Sequence, residues 1–129
     1  KKNDVRAKLK LANAERLPFK DESFDYVLML ASLHHLDDKG REKALNEIRR
    51  VLKDNGQALI TVWNKWQLRF LLSKKDNFVP WRKKDKTYHR YYHLFDYFEL
   101  RKVIKKSGLK IIKSYGILGK NLVFLLAKN

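Results

Sequence analysis

The sequence predicts an α/β fold, with parallel strands joined through a crossover helix and an antiparallel hairpin at the end. Three observations carry that reading. Two apolar runs of strand length, "FDYVLMLASL" (24–33) and "QALITVW" (57–63), flank a segment in which Ala44, Leu45, Ile48, Val51 and Leu52 fall on one helical face. Strand, helix, strand in that order is a βαβ unit, whose crossover is expected to be right-handed. Further on, "LKIIKSYG" and "NLVFLLAK" are two more apolar runs, and the short turn between them favours an antiparallel hairpin.

Each element has its own signal. Val5, Ala7, Leu9 and Leu11 alternate with basic residues, which predicts a half-buried strand running into a loop closed by Pro18. "KDESF" is an acidic turn. The near-continuous apolar run from Phe24 predicts a parallel strand covered on both faces. Asp37 and Asp38 are placed to cap a helix from Lys39 to Lys53, and "DNG" at Asp54 to Gly56 to end it. A short helix is expected over Lys65 to Ser73, then a basic, aromatic-spotted loop that reaches Lys86 and contains Pro80 and Trp81. "YHRYYHLF", Tyr88 to Phe95, follows neither the helical nor the strand period and is expected to be a loop. In "ELRKVIKKSG" a short helix turns Leu100, Val103 and Ile104 inward and stops at Gly108.

Taken together, these elements describe the second half of a Rossmann-like sheet, one partial domain over 1–129 with 64–98 as an insertion for substrate recognition. Ligands of such sheets bind beyond the carboxyl ends of the strands. That rule places Asn13, Ala31 to His35, Trp63 and Asn64 around one crevice.

Composition narrows the partners. Of 129 residues, 44% are hydrophobic, which supports a folded core, while the formal net charge of +16 points to a polyanion, most simply nucleic acid. A merely lysine-rich surface and an anionic membrane are the other readings of that charge; the membrane is disfavoured because no basic face accompanies a long apolar one. With no cysteine, the chain builds no disulfide, thiolate nucleophile or cysteine-ligated zinc, in keeping with a cytoplasmic location. The longest apolar run, about Tyr26 to Leu33, is far short of the ~20 residues that span a bilayer.

Two quoted stretches carry a family resemblance. "LANAERLPFKDESFDYVLMLASLHHL", followed by "ALNEIRRVLKDNGQALITVW", resembles the region after the glycine-rich motif in class I S-adenosylmethionine-dependent methyltransferases. More narrowly, "SLHHL", "VW", "VPW" and "YHRYYHLF", with "GKN" near the end, are together similar to the tRNA wobble-uridine carboxymethyl methyltransferases. The resemblance runs from about Leu9 to Leu126. It implies S-adenosylmethionine as cofactor, with Asn13, Ala14, Leu30 and Ala31 as cofactor-binding candidates. It also implies methyl transfer to the carboxylate of 5-carboxymethyluridine, with the tRNA anticodon loop and a small zinc-binding activator protein as partners. Two departures stand out. Asn13 occupies a position often held by aspartate, and nothing matches the glycine-rich turn or the ribose-binding acid: Gly40, Gly56, Gly108, Gly116 and Gly119 are scattered singly. The resemblance places those elements upstream of Lys1, so the chain is expected to be the C-terminal part of such a domain.

The implied chemistry suits these residues. A carboxylate is already ionised at neutral pH and needs no general base, so orientation and desolvation are the protein's work. Such a site needs a cation, hydroxyl and imidazole donors, and an aromatic face for an unstacked base. The candidates are Arg90 to fork onto the carboxylate, Tyr92 and His93 to donate, Trp63 or Trp81 to stack, His34 and His35 at the crevice, and Asn121 of "GKN". Adjacent histidines on opposite sides of a strand rarely share an ion, so no metal is expected. A small-molecule methyltransferase and a non-catalytic RNA-binding remnant are the competing readings.

Overall fold

The structure, a computed structural model, describes residues 6–128. Four strands form the main sheet in the order β1 (Phe24–Leu30), β2 (Leu52–Trp63), β6 (Asn121–Ala127), β5 (Lys110–Tyr115). β1 and β2 are parallel and joined by helix α1 (Asp38–Val51); β6 runs antiparallel to both β2 and β5. Between β2 and β5 come a separate antiparallel ribbon, β3 (Asp76–Lys83) with β4 (Lys86–His93), and helix α2 (Tyr97–Lys106). The expected βαβ unit and closing hairpin are both present.

One face of the sheet is the core. Met29, Ala58, Ile60, Val62, Leu122, Phe124 and Leu126 pack there against Ala44, Leu45 and Ile48 of α1 and Leu100 and Ile104 of α2. The register explains the sorting. Met29 pairs with Ile60 and Ile60 with Phe124, so apolar residues line up across three strands on one side of the pleat. Asp37 caps α1 by accepting the Gly40 N–H at 2.7 Å, and Gly108, at φ +78°, follows the end of α2.

Several expectations are corrected. β1 is not covered on both faces: Tyr26, Leu28 and Leu30 are exposed, because both helices lie on the other side. The strand foreseen from Val5 to Leu11 is not formed over the described part; Val5 itself lies outside the described residues. Leu9 and Leu11 are exposed there, since alternation alone cannot satisfy backbone groups when β1 pairs only with β2 among the described residues. Helix α1 ends at Val51, with Leu52 already extended. "DNG" therefore does not end a helix but lies in a bulge, where the register passes from Phe24↔Leu52 to Tyr26↔Gln57. The helix placed over Lys65 to Ser73 is a single 3-10 turn, Leu68–Phe70. The loop placed from Ser73 to Lys86 and the one placed over Tyr88 to Phe95 are mostly the two strands of the β3–β4 ribbon, whose pairing across the chain no local period reveals.

Candidate active site

The carboxyl ends of β1 and β2 meet the base of the ribbon. After Leu30 the chain turns sharply at Ala31 (φ +49°), whose N–H donates to both the carbonyl and the hydroxyl of Thr61, each at 3.0 Å. A 3-10 turn, Leu33–His35, then carries both histidines; they sit in this turn rather than on opposite sides of a strand. His34 is buried, and its Nδ1 accepts the Trp63 N–H at 3.4 Å. Burial, and then the neighbouring His35, pull its imidazole down to about 4, so it is neutral at physiological pH.

Tyr92 joins these residues into one aromatic ridge. Its ring stacks 5.3 Å from His34 and 4.7 Å from Trp63, and meets His35 edge-on at 4.3 Å. On its other contacts Trp63 has Phe70 stacked at 5.9 Å and the Arg69 guanidinium at 5.2 Å. Protein groups therefore occupy Trp63, which makes it part of the wall rather than an open stacking platform.

A recess opens on each flank of the ridge. On one side Trp63, Gln67, Arg69, Lys120 and Asn121 surround about 290 Å³. On the other, His35, Arg90 and Tyr91 line a shallow hollow, with the His35 Nδ1 held 3.0 Å from the Tyr91 carbonyl. Arg90 also lies 4.4 Å from the Trp81 ring. Each flank thus offers a cation beside an aromatic surface.

His93 does not join them. It turns inward, with Nδ1 at 2.7 Å from Asp76 and Nε2 at 2.8 Å from Glu99, so neither ring nitrogen remains for a ligand. Its role is in an ionic clamp at the ribbon's base. Asp76 also accepts the Tyr91 hydroxyl, that hydroxyl accepts from the buried Arg41, and Glu99 accepts from Lys75 at 2.7 Å. Burial opposes ionisation of Glu99, but the hydrogen bonds from His93 and Lys75 outweigh it and bring its carboxyl to about 2. The fully buried Asn64 is structural as well, its amide nitrogen reaching the carbonyls of Gly116, Ile117 and Gly119.

With this geometry in place, comparison with known proteins is informative. Residues 1–60 match the family described as "Methyltransferase domain". A protein of Encephalitozoon cuniculi whose name carries the word methyltransferase is 38% identical over 122 residues, covering 85% of this chain and 58% of that protein. An S-adenosylmethionine-dependent methyltransferase structure from Clostridium acetobutylicum superposes with a TM-score of 0.75 at 12% identity, over 95% of this chain and 65% of the other. Residues 1–60 thus carry the methyltransferase-domain pattern, and the chain shares the fold of a solved S-adenosylmethionine-dependent methyltransferase. The tRNA (carboxymethyluridine(34)-5-O)-methyltransferase of Schizosaccharomyces pombe is 26% identical over 129 residues, covering 80% of this chain and 57% of that protein. The chain spans about half the length of the first curated relatives it matches, 58% and 51%.

The methyltransferase frame gives the cofactor candidates a test. Ala14, Leu17, Val27, Met29, Ser32 and Ala44 line an apolar cleft of about 200 Å³ beside β1, a surface that fits a flat heterocycle such as adenine. Asn13 stands at the start of that segment. Its side-chain oxygen accepts the Glu15 N–H at 2.9 Å, which leaves the second lone pair of the same oxygen for an amine. Leu28 also borders this cleft, whereas Leu30, two residues further along the exposed face of β1, does not. The residues present therefore fit the adenine end of S-adenosylmethionine. Sequence reasoning missed Arg69, Gln67, Lys120 and Arg41. The signal for Lys120 lay in "GKN" itself; Arg41 carried none, since its burial depends on packing against Tyr91 and Phe95, far along the chain.

Proposed function

We propose that this chain is the substrate-facing part of a methyltransferase acting on the carboxylate of 5-carboxymethyluridine at the wobble position of tRNA. One observation carries the reading: Arg90 shares a hollow with His35 and Tyr91, on a ribbon whose base stacks against His34 and Trp63 at the strand ends. A Schizosaccharomyces pombe relative and an Arabidopsis thaliana relative, the latter 44% identical over 54 residues, are both named tRNA (carboxymethyluridine(34)-5-O)-methyltransferase, which supports it. S-adenosylmethionine, when bound, supplies a sulfonium-activated methyl group that an ionised carboxylate takes directly, with no proton to remove. Asn13 and Ala14 hold the adenine, with Ala31 at the turn that closes this side of the site. The Arg90 guanidinium forks onto the acceptor carboxylate and fixes its direction. Tyr92 and the neutral His34 wall off water, and Asn121 borders the facing recess with Arg69.

Methyl transfer to carboxymethyl-modified tRNA tests the assignment. Arg90→Ala should lower kcat/KM on the order of 100-fold, the scale of a misplaced reactant, without changing the thermal midpoint. Arg69→Ala is the comparison. Full activity in Arg90→Ala, with the loss appearing in Arg69→Ala instead, would remove the assigned role of Arg90 and move the clamp to the other flank.

A further inference from the structure

The distal part of the β3–β4 ribbon has no task in the site. Every residue from Val79 to Arg90 is exposed, and the ribbon forms a two-stranded sheet of its own. Such a ribbon gains little from burial, so packing does not account for the aromatic residues it displays. The pleat sorts them. Asn77↔Tyr92, Val79↔Arg90, Trp81↔Tyr88 and Lys83↔Lys86 are cross-strand pairs on one face, whereas Phe78↔Tyr91, Pro80↔His89 and Arg82↔Thr87 fall on the other.

The first face is continuous with the site. It starts at Tyr92 in the aromatic ridge and passes Arg90, which lies 4.4 Å from the Trp81 ring. Tyr88 sits 6.0 Å from that same ring, and the face ends at Lys83 and Lys86, paired at the tip. At ~3.4 Å per residue, Tyr92 to Lys86 covers roughly 20 Å. The tip is poorly arranged for stability: two lysines stand directly opposite each other, and Lys84 has a φ of +53°.

We propose that this face is a track for single-stranded RNA, leading from the site at Tyr92 out to Lys83 and Lys86. The inference rests on the reading of the site as one that takes an RNA nucleotide, and adds where the flanking nucleotides lie. Tyr88 and the part of Trp81 that Arg90 leaves exposed offer rings to unpaired bases, while the tip lysines, Lys83 and Lys86, follow the phosphates. A duplex keeps its bases stacked on each other and cannot use the rings, so the track selects unpaired strands.

Fluorescence anisotropy on the whole chain tests the track, using a labelled single-stranded RNA of about ten nucleotides and a duplex of equal length. Trp81→Ala should weaken single-strand binding about tenfold, and Trp81→Phe should restore most of it. Lys83→Gln with Lys86→Gln should reduce the slope of log affinity against log salt by about 1.4. Arg82→Gln, on the opposite face, should leave single-strand affinity within about twofold, the effect of one distant charge at moderate salt. Circular dichroism establishes that each variant is folded. Duplex binding as tight as single-strand binding, or equal losses from either face, would overturn the track. So would ribbon-mediated dimerisation, seen as concentration-dependent sedimentation that Trp81→Ala abolishes. The two readings fail separately, because binding needs neither cofactor nor modified uridine. Single-strand binding without methyl transfer would keep the track and remove the reaction; transfer indifferent to Trp81→Ala and the lysine changes would do the reverse.

Discussion

His34 couples the site to pH. Its folded-state pKa lies below its ordinary 6.5, at about 4, so the stability it brings is intact above pH 6.5 and is lost as pH falls toward 4. By pH 5 the loss is about 2 kcal/mol, readable as a lower urea midpoint than at pH 7. His34→Gln should flatten that difference. Glu99 does not interfere with the measurement. Its depressed pKa, about 2 against 4.5, places its own loss below that window. Asn64 gives a second residue-scale test. Asn64→Ala removes the donor shared by the carbonyls of Gly116, Ile117 and Gly119, of which Gly116 keeps the Gly119 N–H, and should cost roughly 2–4 kcal/mol in chemical denaturation.

At the scale of elements, the β3–β4 ribbon is held at its base alone. Arg41, Tyr91, Asp76, His93 and Glu99 form one connected set there, and Leu94 and Phe95 anchor the following chain in the interior. Tyr91→Phe removes the hydroxyl that links Arg41 to Asp76. It should cost about 1–2 kcal/mol, with faster amide exchange in β3 and β4 and little change in β2 and β6. The β5–β6 turn depends instead on Gly116. A Cβ added there would fall 1.9 Å from the Asn121 carbonyl oxygen, at a φ of +88°. Gly116→Ala should therefore destabilise by roughly 2–4 kcal/mol in a thermal melt, and displace Asn121 from the recess it lines.

Across the whole molecule, both helices cover the same face of the sheet. Tyr26, Leu28 and Leu30 stay exposed on the other, although they are as apolar as the residues that alternate with them. No described helix is long and apolar enough to cross a membrane. Leu45, fully buried between α1 and the sheet, tests the core at this scale: Leu45→Ala should cost roughly 2–5 kcal/mol by urea denaturation.

The sequence by itself determined the βαβ unit, the closing hairpin, the inward face of both helices and the Asp37 cap, because each depends on periodicity or on groups a few residues apart. It also pointed to the carboxyl ends of β1 and β2, where the rings of His34, His35 and Trp63 lie together. The tertiary structure alone decided which face of β1 is covered, that "YHRYYHLF" is largely a strand, and that His93 is clamped. Those outcomes turn on partners distant in the chain. A strand exists only where another backbone meets its hydrogen bonds, and a histidine is a donor or a clamp according to which carboxylates surround it.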